Sequence, residues 1–227
     1  EMLRSLVGSE MCIRDSEDTR DTSSDVKVHE PYMKGLPNGK FKPQGTVTRA
    51  EVAAILARIM TDGNVPKGKP KAKDARSDWY SDYIAFVEKE GIMKGFDDGS
   101  FKPNAKISRA EVAAIISRYK SLNNSASASF PDVKSSHWAY KDIARVNDMG
   151  YMLGFPDGTF GPSSNVTRAE IVTTINRVLD RHPDESYIDM KRPKPFSDID
   201  DNWAYYQIIE ATVKHDYVVI DGVEIYK

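Results

Sequence analysis

The stretch that decides the fold is residues 154–171, which read GFPDGTFGPSSNVTRAEI. Nearly the same pattern stands at residues 35–52 (GLPNGKFKPQGTVTRAEV) and at residues 95–112 (GFDDGSFKPNAKISRAEV). The arginines of the three copies are 60 and 59 residues apart. Because self-similarity at a fixed period is the signature of a repeat architecture, the chain is predicted to fold as copies of one small unit.

Each copy predicts a tight turn, an extended loop and a helix. The Asn-Gly or Asp-Gly pair favours a turn in which glycine takes a positive φ. The Thr/Ser-x-x-Glu that follows is a capping box, in which the hydroxyl accepts an orphan amide and the glutamate reaches back to the cap amide. Apolar residues then recur at helical spacing. The turns are at Asn38-Gly39, Asp98-Gly99 and Asp157-Gly158, and the boxes span Thr48–Glu51, Ser108–Glu111 and Thr167–Glu170.

A second element, an aspartate followed by a tryptophan and an amphipathic stretch, also occurs three times. Its copies start at Asp74, Asp132 and Asp198 and contain Trp79, Trp138 and Trp203. Gly91 and Gly150 stand where a helix C-cap is expected, and His215 takes that place in the last copy. No such element precedes the first repeat, whereas one trails the third. The trailing copy is predicted either to fill the missing place or to form a separate cap.

These motifs resemble the surface-layer homology (SLH) family, whose repeat opens with Phe-x-Asp and Trp and runs through G-F-x-D-G-x-F-x-P to Ile/Val-Thr-Arg-Ala-Glu. The resemblance covers about residues 30–215. It implies a mainly α fold of three helix–loop–helix repeats in a pseudo-threefold spindle, and alternation around Asp221-Gly222 adds a short C-terminal β-hairpin. The expected units are a disordered or non-native leader (1–28), an N-terminally incomplete first repeat (29–62), a second and a third repeat (72–122 and 130–182), and a trailing Trp helix with hairpin (196–227).

Composition excludes several classes of protein. Lys and Arg total 32 against 34 Asp and Glu, so the net charge of -2 argues against a general nucleic-acid binder. No run of 18 apolar residues is present, which argues against membrane insertion. The single Cys12 rules out an internal disulfide framework. His29, His137, His182 and His215 show no metal-ligand spacing and are expected at the surface or in packing, so neither a metal nor a cofactor is predicted.

The arginine of each repeat is the main candidate for binding chemistry. Arg49, Arg109 and Arg168 each follow the N-cap residue, where the helix dipole disfavours a cation by about 0.3–1 kcal/mol at exposed sites. A bound anion would compensate, since a guanidinium grips a carboxylate with two donors. Alternatively, each arginine pairs with a local aspartate and ties helix to loop. The residue pattern leaves both interpretations open.

Three further sets of residues are candidates for the same sites. The tryptophans offer an apolar face to a sugar, or pack in the core. The aspartates accept sugar hydroxyls or, in the commoner use, cap helices. The glycines permit close approach of a ligand, or serve turns. These residues are Trp79, Trp138 and Trp203; Asp74, Asp132 and Asp198; and Gly35, Gly95 and Gly154.

The resemblance implies a non-catalytic module that anchors a secreted protein at the bacterial cell surface, in the cell wall or S-layer. Family members bind secondary cell-wall polysaccharide in grooves between repeats, often through a terminal pyruvate ketal on N-acetylmannosamine. A peptidoglycan-linked glycan is the second expected partner. Two alternatives stay open: a self-assembling surface-layer module, and a fragment of a wall-active glycoside hydrolase, whose carboxylate pair cannot be read from sequence. We expect Arg109 and Arg168 to matter more than Arg49, because the first repeat lacks its own Trp helix.

Overall fold

The computed structural model describes residues 25–227, which form seven α-helices and one small sheet. The helices are α1 (Arg49–Met60), α2 (Ser81–Lys89), α3 (Arg109–Tyr119), α4 (Tyr140–Asp148), α5 (Arg168–Leu179), α6 (Glu185–Lys191) and α7 (Tyr205–Thr212). The strands are β1 (Lys27–His29), β2 (His215–Ile220) and β3 (Val223–Tyr226). The prediction of a mainly α fold with a short C-terminal hairpin is confirmed. No helix in the described part of the chain is long and apolar enough to cross a membrane.

The predicted capping boxes start the three arginine helices. At Thr48, Ser108 and Thr167 the cap side chain accepts the amide three residues on, and the glutamate there accepts the cap amide. Because two orphan donors are satisfied at once, α1, α3 and α5 each begin at the arginine of the motif. These caps therefore fix where each candidate arginine stands.

The three repeats close into a ring of backbone hydrogen bonds. Val47 donates to Val166, Val166 donates to Ile107, and Ile107 donates back to Val47, with N–O distances of 2.9, 3.0 and 3.2 Å. All three side chains are buried. Each repeat thus pairs with both others, which gives the pseudo-threefold arrangement expected of the family.

The Trp helices pack on the arginine helices in matched pairs. α2 lies against α1, α4 against α3, and α7 against α5. Gly91 and Gly150 follow α2 and α4 with φ angles of 71° and 70°, so the predicted glycine C-caps are confirmed. His215, in the matching position after α7, instead opens strand β2. The third Trp helix therefore leads into a sheet rather than into another repeat.

Helix α7 completes the first repeat from the far end of the chain. The amides of Tyr32 and Met33 donate to the carbonyl of Ala211 at 3.2 Å. In the second repeat Ile92 and Met93 make the same pair of bonds to Val87, and in the third Tyr151 and Met152 make them to Val146. The trailing element therefore fills the missing place in the first repeat, which was the first of its two predicted roles.

The small sheet joins the start of the described chain to its end. Its order is β1-β2-β3, with both pairings antiparallel. The two-residue turn at Asp221 and Gly222, with φ of 52° and 81°, confirms the predicted hairpin. β1 begins at Lys27, inside the segment that we expected to lie outside the fold. The rest of that predicted leader, up to residue 24, lies outside the described residues, as does Cys12.

Candidate functional site

The three candidate arginines are buried and reach from one repeat into the next. The Gly-rich loops of the three repeats are residues 34–43, 94–103 and 153–162. Each Nε donates to the carbonyl of a phenylalanine in the neighbouring Gly-rich loop, and each Nη2 donates to a second carbonyl of that loop. The Nε bonds are Arg49 to Phe101 (2.8 Å), Arg109 to Phe160 (2.7 Å) and Arg168 to Phe41 (2.6 Å). Only 5–6% of each arginine is exposed. Several of the N–H donors of each guanidinium are therefore already hydrogen-bonded within the protein.

The remaining Nη1 atom of each arginine faces a capping-box glutamate of the next repeat. The Nη1–Oε1 distances are 2.8 Å for Arg49–Glu111, 3.4 Å for Arg109–Glu170 and 3.7 Å for Arg168–Glu51. The other oxygen of each glutamate accepts its own cap amide. Three such pairs follow one another around the ring. The arginines therefore tie helix to loop through backbone carbonyls rather than a local aspartate, and they tie each helix to the next through the glutamate.

Burial shapes the electrostatics of these arginines. It lowers the pKa of Arg49, Arg109 and Arg168, and the paired glutamates act in the opposite direction. The guanidinium stays a cation at any ordinary pH. It also lies over aromatic rings, with Arg49 Cζ 4.7 Å from the Phe96 centroid and 4.8 Å from that of Phe101. The positive charge is thus held in a fixed place at the junction of two repeats.

The aspartates do not cap helices, so that preferred interpretation is wrong. The N-cap residues of α2, α4 and α7 are Tyr80, Ala139 and Ala204, and none makes a side-chain cap bond. Instead, each aspartate carboxylate accepts two successive backbone amides of its Gly-rich loop. These pairs are Asp74 with Phe101 and Lys102, Asp132 with Phe160 and Gly161, and Asp198 with Phe41 and Lys42, at 2.7–2.9 Å. The carboxylates therefore set the loop that holds each arginine.

The glycines are required by close packing within the protein. A Cβ on Gly95 would lie 2.7 Å from the carbonyl oxygen of Ser100, and one on Gly154 would lie 2.5 Å from the Phe130 ring. At Gly35 it would meet the ring of Phe196. A side chain at any of these positions would displace the Gly-rich loop. The loop carbonyls that receive the arginines would then move as well.

The tryptophans are largely exposed rather than packed in the core. The exposed fractions of Trp79, Trp138 and Trp203 are 54%, 62% and 61%. Each stands two residues before its helix begins. An exposed tryptophan at a fixed position offers a flat apolar face with one N–H donor. That combination suits contact with a sugar ring.

Two grooves bring these residues together between repeats. The Arg118 groove, of about 610 Å³, is lined by Arg49, the loop from Lys94 to Phe96, Arg118 and Trp138. The Arg177 groove, of about 650 Å³, is lined by Arg109, the loop from Leu153 to Pro156, Arg177 and Trp203. Each groove thus combines residues of two successive arginine helices, the Gly-rich loop between them and the Trp segment that follows. We expected Arg109 and Arg168 to matter more for binding than Arg49. The two grooves instead contain Arg49 and Arg109, so their geometry favours these two arginines.

The sequence analysis missed a second set of arginines, Arg58, Arg118 and Arg177. Each stands nine residues after the first arginine of its repeat, so alignment of the three copies would have revealed them. Arg118 is partly buried and donates to the carbonyl of Ile92 at 3.2 Å, while Arg177 is exposed. Arg58 lies with its Cζ 5.0 Å from the Tyr83 ring centroid. The second arginines of the two grooves are therefore the more open cations.

The two grooves differ in polarity. The Arg118 groove has Lys106, Ala114 and Ile115 in its lining. The matching residues of the Arg177 groove are Asn165, Thr173 and Thr174. At these positions the first groove therefore has one more cation and two apolar side chains, where the second has three neutral hydrogen-bonding groups.

Comparison with known proteins agrees with this architecture. The S-layer homology domain family model matches residues 30–53, 73–113 and 129–172. The chain is 32% identical over 211 residues to cell surface glycoprotein 1 of Acetivibrio thermocellus, covering 86% of the chain and 9% of that protein. It is 36% identical over 203 residues to a cellulosome-anchoring protein of the same organism, covering 84% and 44%. It is 33% identical over 147 residues to the S-layer protein sap of Bacillus anthracis, covering 63% and 18%. The chain thus spans less than half the length of these curated relatives.

Proposed function

This chain belongs to the S-layer homology domain family, and from that premise we propose that it is a non-catalytic module that anchors a protein at the bacterial cell surface. It would do so by binding secondary cell-wall polysaccharide in the Arg118 and Arg177 grooves. The observation that carries the proposal is the repeated lining of the two grooves: a buried arginine, a Gly-rich loop, an open arginine and an exposed tryptophan. The names of the relatives, a cell surface glycoprotein and a cellulosome-anchoring protein, support the same role.

We propose that the recognised group is a pyruvate ketal on N-acetylmannosamine at the end of the polysaccharide. Such a ketal carries a carboxylate and a methyl group on one carbon. In the Arg118 groove a guanidinium and the apolar residues Ala114 and Ile115 line the same space, so both parts of the ketal would find a partner. The exposed face of Trp138 would pack on the sugar ring. A peptidoglycan-linked glycan is the second candidate partner.

Charge arguments favour short-range recognition over general attraction to an anionic wall. The net charge of -2 provides no long-range pull toward a polyanion. The contacts inside the grooves must therefore supply the affinity. Arg49 and Arg109 act there mainly by holding the loops, while Arg118 and Arg177 supply donors to the ligand.

The lining of the grooves supports a binding role over hydrolysis. A glycosidase needs two carboxyl groups about 5–9.5 Å apart around the scissile bond. The Arg118 groove contains Glu111 and the Arg177 groove contains Glu170 as the one carboxylate among the described lining residues. Each of these carboxylates already accepts a cap amide and faces a buried arginine. Neither is placed to serve as a free acid or nucleophile.

Calorimetric titration of the full chain with a pyruvylated disaccharide and with its depyruvylated twin tests the proposal. We expect the twin to bind about ten- to a hundredfold more weakly, because a charged hydrogen bond of about 1.5–3 kcal/mol is lost. Equal affinity for the two sugars would contradict carboxylate recognition. Turnover of wall glycan, or oligomers that grow with concentration in the absence of glycan, would favour the hydrolase or the self-assembly alternative.

A further inference from the structure

A separate cluster of buried polar side chains lies where the two ends of the described chain meet. His29 is on β1, Glu210 is on α7 and His215 opens β2. Glu210 is fully buried, and the His29 and His215 side chains are each 7% exposed. A buried carboxylate between two imidazoles is unusual for a position that only packs, because each group loses its water. None of the three lines the Arg118 or the Arg177 groove.

The hydrogen bonds of His215 determine which ring nitrogen faces the cluster with a lone pair. Its Nδ1 lies 2.9 Å from the carbonyl oxygen of Val213, and because a carbonyl only accepts, Nδ1 carries the hydrogen. In the neutral ring Nε2 then has a free lone pair. Nε2 is buried and makes no hydrogen bond, although Glu210 Oε2 lies only 3.2 Å away. Two electron-rich atoms this close need a positive charge between them, supplied either by a second ring proton on Nε2 or by a bound metal ion.

His29 is arranged in the same way on the other side of the carboxylate. Its Nδ1 lies 2.7 Å from Glu210 Oε1, and its Nε2 lies 3.5 Å from Glu224 Oε1. The 2.7 Å contact is a hydrogen bond, so without a metal a proton lies between Nδ1 and the carboxylate. An ion would take the place of that proton, with the ring hydrogen then on Nε2 toward Glu224. An imidazole that donates one N–H to a carbonyl or carboxylate and turns its other nitrogen inward is the usual form of a metal-ligating histidine.

We propose that His29 Nδ1, His215 Nε2 and the Glu210 carboxylate form a binding site for one divalent transition-metal ion of the zinc type. Ligand atoms of the three residues lie within 4.8 Å of one another. Small side-chain movements bring such a set to the distances of about 2.0–2.2 Å that zinc takes with nitrogen and oxygen. Two imidazoles and one carboxylate suit zinc, cobalt or nickel, whereas magnesium and calcium favour all-oxygen sites.

The neighbouring residues determine how a metal ion reaches the site and which groups compete with it. A cavity of about 460 Å³ is lined by His215 and Tyr226, and provides a route for the ion and for a water ligand. The hydroxyl of Tyr226 donates to Glu210 Oε2, and Arg181 Nη1 lies 3.8 Å from Oε1. The ion has to displace the tyrosine hydrogen bond and compete with the Arg181 cation. Its binding would tie β1 to α7 and β2, and so clamp together the two ends that build the first repeat.

Metal titration of the full chain in a Cys12→Ser background tests the site without a thiol ligand. After treatment with a chelator and its removal, thermal unfolding is followed with added Zn²⁺ and, as controls, Mg²⁺ and Ca²⁺. At a hundredfold excess of zinc over its Kd we expect the Tm to rise by about 5–10 °C, because the ion binds only the folded chain. The Mg²⁺ and Ca²⁺ samples should keep the original Tm.

Two further measurements keep the proposal open to refutation. Co²⁺ added to the parent chain should give the strong visible absorption of a four- or five-coordinate ion, and Zn²⁺ should abolish it. His215→Ala should lose the Tm shift, whereas His182→Ala, a change at an exposed histidine, should keep it. If His215→Ala fails to fold, the cobalt spectrum of the parent chain decides. A cobalt spectrum of the hydrated ion, or a zinc effect that survives in His215→Ala, would overturn the site.

Discussion

The Oδ1 atom of Asp198 accepts a hydrogen bond of 2.8 Å from the backbone amide of Phe41, which lies 157 residues earlier in the chain. Its Oδ2 atom accepts the next amide, that of Lys42, at 2.9 Å. Asp132 makes the same pair of bonds to Phe160 and Gly161 within the third repeat. The bond between Asp198 and Phe41 therefore joins the two ends of the described chain in the way that Asp132 joins two parts of one repeat, and it makes the trailing element part of the first repeat.

The first prediction concerns this long-range contact. Asp198→Ala should destabilise the whole ring by about 1–3 kcal/mol, because the amide of the buried Phe41 loses its charged acceptor. Urea unfolding followed by circular dichroism measures the loss. Asp200→Ala is the matched control, since Asp200 makes only an exposed ion pair with Lys194. Equal stability of the two variants would show that the Asp198 bonds contribute nothing measurable to holding the loop of the first repeat.

The second prediction separates the structural from the ligand-binding role of the buried arginines. Arg109→Lys keeps the charge but loses the fork that donates to Phe160 and Leu153 together. We expect a loss of about 1.5–3 kcal/mol in the free energy of unfolding without any ligand present. Denaturant midpoints of the parent and variant chains provide the measurement. A variant that is as stable as the parent but binds less sugar would make Arg109 a ligand residue rather than a tie.

The features that could be predicted from the sequence depend on contacts between residues that are close together in the chain. The capping boxes at Thr48, Ser108 and Thr167 and the turn at Asp221-Gly222 involve partners within a few residues, so their patterns are visible in one chain. Repetition then indicated copies of one unit, and the resemblance to the SLH family implied their pseudo-threefold arrangement. The aspartates were misassigned as caps because a cap is the usual local use of such a residue, whereas their real partners lie 27 to 157 residues away.

The parts of the candidate site that the sequence did not reveal depend on packing between elements. Nothing local distinguishes an exposed Trp138 from a buried one, since exposure depends on what α4 leaves uncovered. Likewise His29 and Glu210 are 181 residues apart, and only the pairing of β1 with β2 brings them together. The helix α6 also went unpredicted, because seven residues are too few for a clear apolar period.

The third prediction concerns the exposed tryptophans. Trp138→Ala and Trp203→Ala should each weaken binding to purified cell wall while the Tm changes little, because more than half of each side chain is already in water. Trp79→Ala is the matched control, since it removes the same kind of side chain from a position next to Tyr83 that lines neither the Arg118 nor the Arg177 groove. Co-sedimentation with wall fragments measures binding. If Trp79→Ala weakened sedimentation as much as the other two changes, the assignment of the two grooves would be wrong.

The fourth prediction is a loss of stability in acid that depends on Asp132. Partial burial disfavours its charged form, but the amides of Phe160 and Gly161 outweigh that effect and hold the pKa of the carboxyl below its usual value of 3.8. A lowered folded-state pKa contributes stability that is present above 3.8 and is lost as the pH falls through the folded value. Asp132→Asn should therefore be less stable than the parent at pH 7, and the difference should shrink below about pH 4. Urea midpoints across this range provide the test, and a constant difference would contradict it.

The last prediction assigns the ligand to the open arginines. Arg118 and Arg177 each line one groove, whereas Arg58 lines neither of them and stacks on Tyr83. Arg118→Ala should weaken one site about ten- to a hundredfold, because a charged hydrogen bond to the ketal carboxylate is lost. Arg177→Ala should do the same at the other site.

Calorimetric titration with the pyruvylated disaccharide should then show two sites in the parent chain and one strong site in each of these variants. Arg58→Ala should retain both strong sites, which makes it the control for a change of charge. The more cationic lining around Lys106 also predicts that the Arg118 site weakens more steeply with salt than the site lined by Asn165 and Thr174. An Arg58→Ala chain that lost a strong site, with Arg118→Ala and Arg177→Ala unchanged, would place binding at the junction beside Trp79 instead.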